Sequence, residues 1–132
     1  MDSTQSIDEL MLDPQPLEDL RLLEQSGAPG LTEKLIGLFF KNTEELLPAL
    51  LRGVEANDLK TVARAAHTIK SIAPTLGANR LSSLCKALEI AAREESARDY
   101  GALIDRVQSE YVCVRDSLER ALTEGRQQRP PG

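Results

Sequence analysis

Hydrophobic residues recur at helical spacing in five segments of this chain, and no segment shows the alternation typical of a strand. The first segment is short and runs from Pro16, a residue suited to the first turn of a helix, to about Gln25. Pro48 lies inside the second segment and should kink it, because proline lacks an N–H and crowds the preceding turn. The apolar positions of this second helix are Leu31, Leu35, Leu38, Phe39, Leu46 and Leu50.

Residues typical of helix ends separate the second, third and fourth helices. The second helix should end before Asn57 and Asp58, one of which acts as the stop while the other caps the third helix. Gly77 suits the left-handed backbone position that ends a helix, and Asn79 can cap the fourth helix. Because this connection is so short, the third and fourth helices should lie antiparallel.

The last three helices each carry a continuous apolar seam. In the third helix the seam steps by three and four residues, as expected of a face that is buried along its whole length. The pattern predicts an all-α fold, an antiparallel four-helix bundle with an additional short N-terminal helix. The seams are Leu59, Val62, Ala66, Ile69, Ala73 and Leu76; Leu81, Leu84, Cys85 and Leu88; and Ile104, Val107, Tyr111, Val114 and Leu118.

The two ends of the chain are predicted to be less ordered than its middle. We expect residues 1–14 to be a loosely ordered leader, in which Ile7, Leu10 and Met11 could form one amphipathic turn. Residues 125–132 are polar and end in Pro-Pro-Gly, so we expect a disordered tail. The predicted bundle domain therefore occupies residues 15–124.

Composition narrows the class of partner. The chain has 132 residues, enough for one core, and only 3% aromatic residues, which favours packed helices over a sheet. Its net charge of −5 argues against binding nucleic acid or acidic lipid, so we expect a protein partner.

The start of the chain lacks a basic leader and no stretch is long and apolar enough for a membrane span, so we expect a cytoplasmic protein without membrane insertion.

The chain contains a single histidine, His67, and its helical position is informative. At about 100° per residue, His67 projects about 130° away from the centre of the third-helix seam, toward solvent. Lys60, Arg64 and Ser71 share a stripe roughly 60° wide with it, and Lys70 lies one step toward the core. An acidic chain thus carries a basic strip around its only histidine.

Several kinds of chemistry can be set aside for His67. No second histidine or paired thiolates stand at metal-ligand spacing, and we expect Cys85 and Cys113 to be small core residues. Neither a nucleophile elbow nor a glycine-rich phosphate loop is present. Periodicity alone leaves a simple solvated surface histidine as the favoured interpretation.

A longer pattern around His67 changes this balance. The pattern consists of Ala66-His67-Thr68-Ile69-Lys70-Ser71, Leu76-Gly77-Ala78, Leu81, Leu84-Cys85 and Leu88-Glu89. These residues resemble the histidine-containing phosphotransfer (HPt) domain family, and the wider layout resembles it over residues 16–122. The resemblance implies a helical carrier that accepts a phosphoryl group from the aspartyl phosphate of a receiver domain, or from a hybrid histidine kinase, and passes it to a response-regulator receiver domain.

The resemblance also implies residue roles. His67 would be the phosphoacceptor, Lys70 the cation that favours the phosphorylated state, and Ser71 the small residue that lets a receiver approach. Lys60, Arg64, Ser71 and Pro74 are the predicted partner-docking residues. The receiver would supply the Mg²⁺, so we expect no metal or cofactor in this chain, which would act as a monomeric transfer intermediate and not as an autonomous enzyme.

Two residues of this chain depart from the family pattern. Ile69 replaces the usual leucine, and Pro74 falls where the helix normally continues, so a kink or a freed Lys70 carbonyl is expected just past His67.

The main rival function is a non-phosphorylated helical adaptor that binds or sequesters a signalling partner. A dimerising histidine-kinase domain is a weaker rival, because its H-E-x-x-x-P type of box is absent.

Overall fold

The computed structural model describes residues 12–128, which form five α-helices and one short 3-10 helix, with no strand among them. Around the bundle, α2 packs on α3, α3 on α4, α4 on α5 and α5 on α2, while α1 lies against α2 and the 3-10 helix. The predicted all-α four-helix bundle with an extra N-terminal helix is confirmed. The elements are α1 (Gln15–Gln25), α2 (Leu31–Glu55), α3 (Leu59–Ile72), the 3-10 helix (Ala73–Leu76), α4 (Asn79–Glu94) and α5 (Tyr100–Gln128).

The core forms along the predicted seams of α3, α4 and α5. All five seam residues predicted for α5 are buried, as are those of α3 except the half-buried Leu59. In α2 the buried face differs from the predicted one, because Leu38 is 45% exposed while Ile36 and Thr43 are fully buried. Apolar residues stand next to each other along this helix, and such pairs leave the inward-facing member undetermined.

The predicted helix stops and caps are confirmed at two of three places. Asn57 has a φ of 56° and Asp58 accepts a hydrogen bond from the Thr61 amide at 3.2 Å, so the predicted stop and cap are confirmed. Gly77, with a φ of 82°, ends the 3-10 helix. The predicted cap at Asn79 is wrong: the chain turns helical directly after Ala78, so Asn79 is itself the first helical residue, and α4 has no side-chain cap.

The two internal prolines have different surroundings. α2 continues as one helix through Pro48, and the kink there stays a prediction. At Pro74 the expectation of a freed carbonyl is confirmed, since α3 ends at Ile72 and the Lys70 carbonyl accepts a hydrogen bond from the Ser82 hydroxyl at 2.7 Å.

The described residues extend past both predicted boundaries of the bundle domain. Leu12 is buried, and the Asp13 amide donates to the Gly77 carbonyl at 2.8 Å, so this part of the predicted leader is fixed against the bundle. α5 continues through Gln128, past the boundary predicted at residue 124, because no proline interrupts it before that point. Ile7, Leu10 and Met11, like residues 129–132, lie outside the described residues. No helix in the described part of the chain has the length and apolar character needed to cross a membrane.

Candidate functional site

His67 lies on the outer face of α3, with 53% of its side chain exposed. Its neighbours Ala66 and Ile69 are fully buried in the core and set the rotation of the helix. The prediction of an exposed histidine is therefore confirmed, and the imidazole is open to a partner from the solvent side.

Glu89 of α4 lies beneath His67 and holds one side of its ring. The side chain of Glu89 is only 9% exposed, and its Oε2 lies 3.0 Å from Nδ1 of His67. Because an ionised carboxylate can only accept hydrogen bonds, this contact places the proton of a neutral imidazole on Nδ1. In that tautomer Nε2, the nitrogen further from the helix, carries the free lone pair.

Two cations share the same carboxylate. Lys70 donates from Nζ to Oε1 of Glu89 at 2.7 Å, and Arg93 donates from Nε to Oε2 at 3.1 Å. The hydrogen bond from Lys70, followed by those from Arg93 and His67, outweighs burial and lowers the pKa of Glu89 from 4.5 to about 2. Glu89 is therefore fully ionised near pH 7 and keeps His67 in the tautomer described above.

The arrangement combines an exposed nucleophile with nearby positive charge. Lys70 is 29% exposed and lies one helical turn from His67, so its ammonium group can use one donor on Glu89 and offer the others outward. A neutral imidazole is nucleophilic near pH 7, and an anion bound to Nε2 would lie within reach of this lysine.

The residues expected to contact a partner are all exposed but do not form one cluster. Lys60 and Arg64 line a groove of about 410 Å³ between α3 and α4. The other residues that line it are Leu59, Ala63, Ala92, Arg93 and Glu95. Ser71 lies on the other side of His67, and its hydroxyl donates to the His67 carbonyl at 2.9 Å. Pro74 lies beyond the end of α3, in the 3-10 helix.

The two cysteines take no part in the contacts described above. Both are free thiols; Cys85 is fully buried, which raises the pKa of its thiol to about 12, and Cys113 is half-buried. A thiol with so high a pKa stays protonated and unreactive. Across residues 12–125, no three His, Cys, Asp or Glu side chains gather as a metal site would require.

Sequence reasoning missed the roles of Glu89 and Arg93. The available signal was a glutamate four residues after the buried Cys85, at the margin of the α4 seam where an acidic residue is uncommon. Arg93 follows four residues later, at the spacing of a helical ion pair. Neither observation alone connects α4 with a histidine on another helix.

Comparisons with known proteins identify the family and the fold. Residues 34–126 match the family model described as the Hpt domain. Histidine-containing phosphotransfer protein 2 of Arabidopsis thaliana is 22% identical over 104 residues, covering 76% of this chain and 67% of that protein. The crystal structure of histidine-containing phosphotransfer protein B from Pseudomonas aeruginosa PAO1 superposes with a TM-score of 0.76 at 27% identity, covering 90% of this chain and 97% of that one. A putative histidine-containing phosphotransfer protein from rice shares the fold, with a TM-score of 0.77 at 16% identity and coverage of 90% and 86%.

Proposed function

The chain belongs to the Hpt domain family and functions in phosphorelay phosphotransfer, and on this premise we propose that Nε2 of His67 carries the phosphoryl group. The observation that supports this assignment most directly is the contact between Nδ1 of the half-exposed His67 and Glu89, which in the neutral ring holds the proton on Nδ1 and leaves the lone pair on Nε2.

The proposed step needs no proton transfer at the moment of attack. The lone pair of Nε2 forms a bond to the phosphorus of a receiver's aspartyl phosphate, and the phosphorus–oxygen bond to that aspartate breaks. The aspartate leaves as a carboxylate, while His67 becomes a phosphorylated imidazolium that keeps its proton on Nδ1. The new positive charge faces the Glu89 carboxylate at 3.0 Å, and the reverse step delivers the group to another receiver.

Lys70 has a separate role in this proposal. Its ammonium group carries three donors, of which Oε1 of Glu89 takes one at 2.7 Å. The remaining donors can contact phosphoryl oxygens on Nε2 and offset their negative charge. Lys70 thus favours the phosphorylated state without being the nucleophile.

Proteins of this family work with receiver and kinase partners of two-component systems. For this chain we propose response-regulator receiver domains and a hybrid histidine kinase, met by a cytoplasmic monomer that acts only as a transfer intermediate. Lys60, Arg64, Ser71 and Pro74 are exposed on α3 and the 3-10 helix that follows it, and they are the proposed docking residues. No observation favours the adaptor function.

The decisive experiment pairs the chain with a panel of phosphorylated receiver domains from its source organism. The parent chain should acquire an acid-labile, alkali-stable label from at least one receiver, and His67→Gln should acquire none. Because the His67 side chain is half exposed, this variant should unfold within about 0.5 kcal/mol of the parent, which shows that the fold is intact. A label that persists in folded His67→Gln would contradict the assignment.

A further inference from the structure

Two groups of Lys70, its side-chain ammonium and its backbone carbonyl, are hydrogen-bonded to α4. Its ammonium group donates to Oε1 of Glu89 at 2.7 Å, and its backbone carbonyl accepts from the Ser82 hydroxyl at 2.7 Å. Ser82 and Glu89 are seven residues apart, so they lie on one face of α4, two turns or about 10.5 Å from each other. One residue of α3 is therefore bound at two separated points of the neighbouring helix.

Pro74 is the reason that the Lys70 carbonyl needs a partner from outside α3. In a regular α-helix the amide of residue 74 would donate to the carbonyl of residue 70, but proline has no N–H to give. The chain at this point leaves α-helical geometry for the 3-10 helix that starts at Ala73. The hydroxyl of the half-buried Ser82 occupies the position of the missing donor.

The backbone at this point controls where the lysine can reach. Lys70 lies in the last turn of α3, where carbonyls lack helical partners and helix ends fray. Its side chain is long and flexible, so the direction in which it leaves the backbone is a main constraint on its ammonium group. A shift of the backbone at Lys70 would move the ammonium group away from Glu89 and from Nε2 of His67.

We propose that Ser82 is a positioning residue for phosphotransfer: its hydroxyl fixes the backbone of Lys70 and thereby keeps the lysine ammonium beside phosphorylated His67. This inference rests on the proposed roles of His67 and Lys70. It assigns Ser82 no contact with the phosphoryl group, and its effect on chemistry passes entirely through Lys70.

The test is a double-mutant cycle of Ser82→Ala and Lys70→Ala. Each chain is labelled by the receiver domain that labels the parent fastest and is then freed of that receiver. The half-life of its phosphohistidine and its urea unfolding midpoint are measured. Ser82→Ala should shorten the half-life about two- to fivefold, the population change that loss of one ordinary hydrogen bond produces. In the Lys70→Ala background it should leave the half-life unchanged.

The unfolding midpoint gives the contrast between a positioning and a structural role. The carbonyl at position 70 belongs to the backbone, so Ser82→Ala should lower the midpoint in both backgrounds. Ser82→Thr, which keeps the hydroxyl, should retain the parent half-life. Ser83→Ala, at the neighbouring exposed serine of α4, is the matched control and should change neither measurement.

Three results would overturn the inference. One is a parent-like half-life in Ser82→Ala, another is an equal shortening with and without the lysine, and the third is a Lys70→Ala half-life equal to that of the parent. In each case the label would still be found on His67, so the proposed phosphoacceptor would stand; the third result would in addition contradict the proposed role of Lys70. A parent chain that takes no label from any receiver would instead contradict the proposed function itself.

Discussion

Replacing Glu89 by glutamine removes the negative charge beneath His67 while keeping the size of the side chain. The carboxylate accepts hydrogen bonds from Lys70, Arg93 and His67, whereas an amide offers one acceptor oxygen and one donor NH₂ group. If the amide oxygen faces His67 and Arg93, the NH₂ group opposes the Lys70 ammonium. If the amide is turned, its NH₂ group faces Nδ1 and favours the tautomer with the proton on Nε2.

The expected loss of stability in Glu89→Gln follows from the pKa of Glu89, which the three partners lower from 4.5 to about 2. At 1.36 kcal/mol per unit, this difference corresponds to at most about 3 kcal/mol of stability. Arg93 and His67 are 56% and 53% exposed, so solvent screens their share, and we expect Glu89→Gln to cost about 1–2 kcal/mol at pH 7. Loss of the charge facing the imidazolium should also slow phosphoryl acceptance about three- to tenfold.

The pH dependence has a definite sign. A carboxyl group whose pKa is lower in the folded state stabilises the fold above its unfolded pKa, and this contribution is lost as the pH falls through the folded pKa. The difference in unfolding free energy between parent and Glu89→Gln should therefore be largest above about pH 5 and shrink toward pH 2. Urea unfolding at a series of pH values measures it, and ¹⁵N chemical shifts of His67 report the tautomer.

Glu94→Gln is the matched control, since it makes the same charge change at an exposed position of α4. It should alter stability by no more than about 0.5 kcal/mol and leave transfer unchanged. A parent–variant difference for Glu89→Gln that is independent of pH would refute the ion-pair argument. An unchanged His67 tautomer together with an unchanged transfer rate would refute the argument that Glu89 orients the ring.

Three further substitutions test other parts of the site and fold. Lys70→Ala should leave the fold intact and slow the acceptance of phosphoryl groups from a receiver, measured by timed transfer; an unchanged rate would make Lys70 a simple surface charge. Ser71→Gln should be neutral or slightly stabilising by a few tenths of a kcal/mol but weaken transfer from receivers, while modification by phosphoramidate persists if the parent accepts that donor. Gly77→Ala should destabilise the chain by about 2 kcal/mol or more in urea unfolding, because its φ is 82° and a Cβ would strike the Asp13 carbonyl; parent-like stability would contradict this.

The fold could be predicted from the sequence where each helix carries one unambiguous seam. In α3 and α5 one set of apolar residues recurs without a gap at steps of three and four along the helix, and this set marks a single inward face. In α2 the apolar residues occur in adjacent runs such as Leu38 and Phe39, of which only Phe39 is buried. Local spacing cannot choose between neighbours that differ by about 100° around the axis, because the choice depends on what the other helices present.

The site was predictable on α3 but not across to α4. The direction of His67 follows from its position relative to one seam on its own helix, which local spacing contains. Its contact with Glu89 joins residues 22 apart and depends on how far α4 is shifted along α3, which periodicity leaves open. The break at Pro74 and the turn at Gly77 determine how far α4 is shifted along α3. The positions of these two residues in the sequence do not predict the size of that shift.

An exposed nucleophile places opposing demands on a helical bundle. In-line transfer requires the solvent side of His67 to stay open, so no element of this chain can cover Nε2. The imidazole must nevertheless be held in one orientation and one tautomer, which an isolated surface helix cannot provide. A buried carboxylate on the adjacent helix meets both demands, because Glu89 fixes Nδ1 from below and leaves the opposite edge of the ring free. Since the same carboxylate also holds Lys70, the nucleophile and its cation share one anchoring group, and a change in the α3–α4 contact would displace them together.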